Sequence, residues 1–194
     1  MPLSFALTDA EKTFLGDQAK NSIESRLSGL RDAVPFQPAD TASVLFRDLG
    51  SFVTLTIGGN LRGCIGTIVG REPLFLNVWS MARAAAFDDP RFPPLTRDEW
   101  PLVAMEISVL DAPSPCPDPA QIQIGRDGLI LQCDGRSGVF LPQVPVEQGW
   151  TRQEYLDHLC LKAGVPPGSW KKPSARLFWY QALVFPVTKD VARK

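Results

Sequence analysis

Arg62 and Cys64 stand two residues apart in Leu61-Arg62-Gly63-Cys64-Ile65-Gly66-Thr67, a stretch that also carries two glycines. A cysteine attacks as its thiolate, and a neighbouring guanidinium favours that form. A guanidinium held out of water needs a carboxylate or an anionic ligand in turn. Gly63 and Gly66 weaken a strand interior, which is tolerated where something must approach the backbone closely. The stretch can therefore make a ligand site, with Arg62 as anion anchor, Gly63, Cys64 and Gly66 as its floor, and Cys64 as a candidate catalytic thiol. Each side chain also has a plainer reading. Cys64 could be a small apolar group packed under a helix, and Arg62 a structural partner of Glu106 or Asp88.

Three further positions could complete such a site. Glu106 sits in the alternating run Val103–Leu110, on the face opposite the apolar residues, where an acid with a shifted pKa could serve a cleft. Asp88, Asp89 and Arg91 lie in a loop stiffened by Pro90, Pro93 and Pro94, suited to preorganised ligand contacts. His158 is the single histidine and so the only imidazole base in the chain. A Cys–His pair would need it beside Cys64, and an exposed or packing role is the plainer reading. One histidine and four scattered cysteines without CxxC spacing offer no metal centre, so neither a metal nor a cofactor is expected. Gly63-Cys64-Ile65-Gly66 matches the GxxG spacing of a nucleic-acid-binding KH loop, but its flanks are strand-like and not basic.

Bulk properties exclude several classes. The chain has 194 residues and a net charge of -1. With no basic run beyond two residues, a broad phosphate-contacting surface is excluded. MPLSFALTDAEK has neither a basic n-region nor a long apolar core, so no signal peptide is expected. No apolar stretch approaches the length of a membrane span. Cys64, Cys116, Cys133 and Cys160 then read as free thiols of a cytoplasmic protein.

Local patterning supplies the elements that must position these residues. Thr8-Asp9-Ala10-Glu11 is a capping box, and Leu15, Ala19, Ile23, Leu27 and Leu30 continue one apolar helical face to about Val34-Pro35. Ser43–Arg47 and Phe52–Ile57 read as strands, with Gly58-Gly59-Asn60 turning the second into a hairpin with LRGCIGTIV. Strict alternation would then place Arg62 and Cys64 on one face, about 7 Å apart at their α-carbons. Pro73 opens a second helix through Leu74, Val78, Met81 and Ala85. Thr96-Arg97-Asp98-Glu99 and Thr151-Arg152-Gln153-Glu154 are two more capping boxes, the latter opening a helix that Gly164 stops. Ala112–Pro119 is an extended, proline-rich connector. QIQIG, LILQ, VFLPQVP and Leu177–Val187 read as strands. Hairpins mixed with helices, without βαβ alternation, predict an α+β fold with a mainly antiparallel sheet.

LRGCIGT, AAFDDPRFPPLT, EISVL, FLPQVPVEQGW and LDHLCLKAG, in that order, resemble the AMMECR domain family, whose bacterial members are called AmmeMemoRadiSam system protein A. The resemblance spans residues 7–187. It implies a single α+β domain of two unequal lobes around a central antiparallel sheet flanked by helices, the smaller lobe built from segments around 35–50 and 112–150. It implies no established activity. It does imply association with a Memo-like protein and a radical SAM protein, and a cleft at Arg62, Gly63 and Cys64. Two function classes follow. One is an accessory component binding a small anionic or peptide-like ligand near LRGCIG, or a cysteine-dependent enzyme using Cys64; the other is a purely non-catalytic adaptor whose groove recognises a partner protein or a peptide.

Overall fold

Helix α1 (Asp9–Leu27) begins where Thr8 and Glu11 close the expected capping box, the Thr8 amide donating to Glu11 Oε2 at 2.8 Å. The computed structural model describes residues 3–30 and 33–188. Leu15, Ala19 and Ile23 are fully buried along the helix, but Leu30 is 62% exposed. The helix stops seven residues before Val34, because Ser28 caps it and Gly29 takes the left-handed φ of 79° that ends helices. Ser43–Arg47 is not a strand. Ser43 caps a 3₁₀ turn over Val44–Phe46 and places Leu45 in the core.

The chain divides into two compact units, Met1–Leu110 with Leu183–Lys194, and Asp111–Ala182. Residues 35–50 lie in the first and residues 112–150 in the second. The first unit holds the antiparallel hairpin β1 (Gly50–Ile57) and β2 (Asn60–Thr67), with β3 (Val103–Leu110) on the other side of β1. β2 is therefore an edge strand, while the Leu183–Val187 end of β7 (Arg176–Val187) follows β3. Alternation works as predicted across β1 and β3: Val53 opposes Ile107 and Leu55 opposes Met105, all in the core. Helix α2 (Leu74–Phe87) covers this apolar face with Leu74, Val78, Ala82 and Ala85. Its small residues let the helix backbone come close to the strands.

In the second unit, β4 (Ser114–Pro115), β7, β5 (Asp127–Cys133) and β6 (Arg136–Phe140) lie side by side and antiparallel. Between β4 and β5 the QIQIG segment forms no strand; Asp118 caps a 3₁₀ turn at Pro119–Gln121, and Ile122 alone enters the core. The end of VFLPQVP likewise leaves the sheet for the short helix α3 (Val144–Glu147), since Pro145 cannot donate to a strand ladder. Helix α4 (Arg152–Lys162) starts at the Thr151 capping box and buries Tyr155, Leu156, Leu159 and Cys160 against Leu129 and Leu131. Tyr155 is enclosed with its hydroxyl donating to the Asp127 carbonyl at 3.2 Å, and burial pushes its phenol well above the ordinary range. Helices on antiparallel strands make the fold α+β. No helix among the described residues is long and apolar enough to cross a membrane.

Candidate functional site

Pairing between β1 and β2 slips by one residue at the start of LRGCIG. Thr56 opposes Leu61 and Leu55 opposes Gly63, which leaves Arg62 as the extra residue of a β-bulge. A bulge breaks the period-two alternation and re-aims a side chain. The regular alternation expected from Arg62 to Cys64 is interrupted at Arg62. Cys64 stands opposite Thr54, with its sulfur 3.3 Å from the Thr54 hydroxyl, while Arg62 reaches toward residues 93–99.

Arg62 is 9% exposed, and its charge is met within the chain. Nε donates to Glu99 Oε1 at 2.8 Å and Nη2 to Glu99 Oε2 at 3.0 Å, while Nη2 also donates to the Pro93 carbonyl at 2.9 Å. The Arg62 guanidinium, helped by the Thr96 amide, holds the Glu99 carboxyl down at about 2. The partner is thus neither Glu106 nor Asp88. Glu99 ends the Thr96 capping box, a motif visible in the sequence, and the box fixes the carboxylate that Arg62 grips.

The proline-stiffened loop closes on the backbone of Cys64. Its amide donates to Asp89 Oδ2 at 2.9 Å, and its carbonyl accepts from Arg91 Nη2 at 3.1 Å. Asp89 and Arg91 bind each other as well, Nη2 to Oδ2 at 2.7 Å and Nε to Oδ1 at 3.0 Å. The Asp89 side chain is 2% exposed, and chiefly the hydrogen bond from Arg91 holds its carboxyl far below the usual carboxylate range despite burial. Asp88 stands apart: it caps the C-terminus of α2 and lies 3.6 Å from Arg26. Of the acids in that loop, Asp89 reaches the motif.

Glu106 opposes Thr54 across β1 and β3, just as Cys64 opposes it across β1 and β2. Cys64, Thr54 and Glu106 therefore form one cross-strand row on the face away from the core. The two glycines serve packing. A Cβ on Gly63 would lie 2.1 Å from the Ala85 carbonyl oxygen of α2, so the helix backbone already fills the space that seemed bare. A Cβ on Gly66 would strike the Phe52 ring at 2.2 Å.

Beyond Gly66 the surface opens into a cleft of about 710 Å³ lined by Phe52, residues 66–69, Arg71, Glu72, Asn77 and Met81. Asn77 is buried beneath it, accepting from the Ser51 hydroxyl at 2.6 Å and donating to Thr67 Oγ1 at 3.1 Å and Glu72 at 3.4 Å. Arg71, Glu72 and Asn77 carry no motif; helix patterning shows only that Asn77 lies one residue from the apolar face. In the second unit His158 stacks on Trp150, ring centres 4.1 Å apart and nearly parallel. All four cysteines are free thiols, and among the described residues no group of three or more His, Cys, Asp or Glu is placed to hold a metal ion.

Known proteins resemble this chain in sequence and in fold. The sequence model of the AMMECR1 family matches residues 17–185. Protein MJ0810 of Methanocaldococcus jannaschii is 39% identical over 187 residues, covering 92% of this chain and 91% of that protein. Protein TK0174 of Thermococcus kodakarensis is 37% identical over 191 residues, covering 93% and 92%. The crystal structure of the uncharacterized protein PH0010 from Pyrococcus horikoshii superposes with a TM-score of 0.83 at 36% identity, over 94% of both chains. Matched along nearly its whole length in both sequence and fold, the chain belongs to the AMMECR1 family.

Proposed function

We propose that this chain is a cytoplasmic accessory protein that binds a small anionic or peptide-like ligand in the cleft beside LRGCIG and acts with a Memo-like protein and a radical SAM protein. One observation carries the binding half of this reading. The ionic groups around the motif are committed to each other, Arg62 to Glu99 and Asp89 to Arg91, and the open volume lies next to them at Gly66. Such a frame holds a recognition surface rigid. The association half rests on the family resemblance.

The second reading, a cysteine-dependent enzyme, has its own observation: the Arg91 guanidinium donates to the Cys64 carbonyl, so a cationic side chain stands beside the cysteine. The two separate in one experiment. Affinity capture of the two candidate partners, with wild-type and Cys64→Ala chains as bait, should recover them equally under the accessory reading. A turnover that Cys64→Ala and Cys64→Ser both abolish would establish the enzyme instead.

A further inference from the structure

The edge of β2 is closed at one position and open at the next. In an antiparallel pair, residues alternate between pointing their N–H and C=O toward the partner strand and away from it. Cys64 points both groups away from β1, and Asp89 and Arg91 take them. Two residues on, Gly66 stands in the same phase opposite Phe52 with no register shift between, so its N–H and C=O leave by the same edge. There the edge borders the cleft of about 710 Å³. Natural edge strands are usually blocked because free backbone groups recruit another strand. Here, among the described residues, the block stops at Cys64.

The rest of the cleft states what could use that edge. Phe52, held across Gly66, and Met81 offer an apolar seat, with Val69 57% exposed at the rim. Arg71 is exposed and stands in no hydrogen bond or ion pair among the described residues, whereas Glu72 is engaged by Asn77. An unpaired guanidinium beside free strand-edge groups is complementary to a carboxylate on an extended chain.

We infer that the β2 edge at Gly66 takes an extended peptide segment of a partner protein. The segment hydrogen-bonds to the Gly66 backbone, lays an apolar side chain on Phe52 and Met81, and presents an Asp or Glu to Arg71. This rests on the binding half of the proposed function and gives it a site and a ligand class.

The test is selection of a phage-displayed random dodecapeptide library on the full chain, followed by affinity measurement with synthetic copies of the recovered peptides. The expected peptides alternate apolar and acidic residues and slow hydrogen exchange at the Gly66 amide. Arg71→Glu, at an exposed position, should weaken them about tenfold or more, and Lys in place of their acidic residue should restore binding to that variant. Methylating the peptide nitrogen that faces Gly66 should abolish binding. Four results would overturn the inference: no peptide recovered, protection mapping away from Gly66, full affinity in Arg71→Glu, or self-association of the chain through this edge. Binding of free succinate with the same Arg71 dependence, without any peptide, would also overturn it in favour of a small-anion site. Capture of the two candidate partners by a chain that fails these tests would leave the accessory reading standing. A Cys64-dependent turnover would sink that reading while leaving the edge site intact.

Discussion

Arg62 illustrates how a residue chosen for chemistry can be consumed by structure. Its bidentate pair with Glu99 is mostly out of water, the Arg62 side chain being 11% exposed. Removing one partner of such a pair leaves a charge stranded, so Glu99→Gln should destabilise the chain by about 3 kcal/mol in urea unfolding. Lysine keeps the charge but not the fork, so Arg62→Lys should cost stability, roughly 1–2 kcal/mol. Glu99 adds a pH dependence. Its carboxyl sits at about 2 in the folded chain against an ordinary 4.5, so the folded state binds its proton less readily. That contribution is whole above 4.5 and fades as pH falls toward 2. The stability gap between wild type and Glu99→Gln should be flat above about pH 5 and shrink below it; a gap constant down to pH 3 would refute the pair's role. Cys64 behaves differently. Its sulfur meets the Thr54 hydroxyl, which serine can also do, so Cys64→Ser and Cys64→Ala should each change stability by less than about 1 kcal/mol.

At the scale of elements, the decisive contact is between β2 and α2. The bulge at Arg62 and the missing side chain at Gly63 let the strand lie against the Ala85 carbonyl. A side chain at Gly63 would have to push backbone apart, so Gly63→Val should fail to fold, or melt many degrees lower, rather than simply block a ligand. Gly63→Ala should show a smaller loss of the same kind by circular dichroism. The Asp89–Arg91 clamp belongs to this scale too, because it turns a loop into a cap on the strand edge. Asp89→Asn removes the ion pair and should speed hydrogen exchange at the Cys64 amide, whereas an unchanged rate would mean that packing alone holds the edge.

Across the whole molecule, each unit has its own apolar core, one on Val53, Leu55 and Ile107, the other on Leu129, Leu131 and Tyr155. The cysteines sample both. Cys133 and Cys160 are buried and Cys64 and Cys116 half-buried, with burial pushing the Cys116 and Cys160 thiols up. Thiol titration of the native chain at neutral pH should therefore give Cys64 reacting first and the two buried groups last. Denaturant should bring the total to four. Fewer than four in denaturant would indicate disulfides and overturn the cytoplasmic reading.

Much of this architecture was legible in the residues themselves. Capping boxes at Thr8, Thr96 and Thr151 act within four residues, and the alternation of Val103–Leu110 needs only a half-buried sheet, so both were visible in one dimension. The family motifs were equally plain. Ser43–Arg47 and QIQIG misled because short apolar runs fit a 3₁₀ turn or a loop as well as a strand, and only packing chooses. The site's wiring was not local at all. Which carboxylate holds Arg62 was settled by bringing together residues 37 apart in the chain, and the choice of Asp89 over Asp88 by residues 25 apart. One slip in register made Arg62 the extra residue of a bulge. Spacing along a strand states which residues are neighbours only while pairing stays regular, and a bulge is set by how the strand must fit the helix above it.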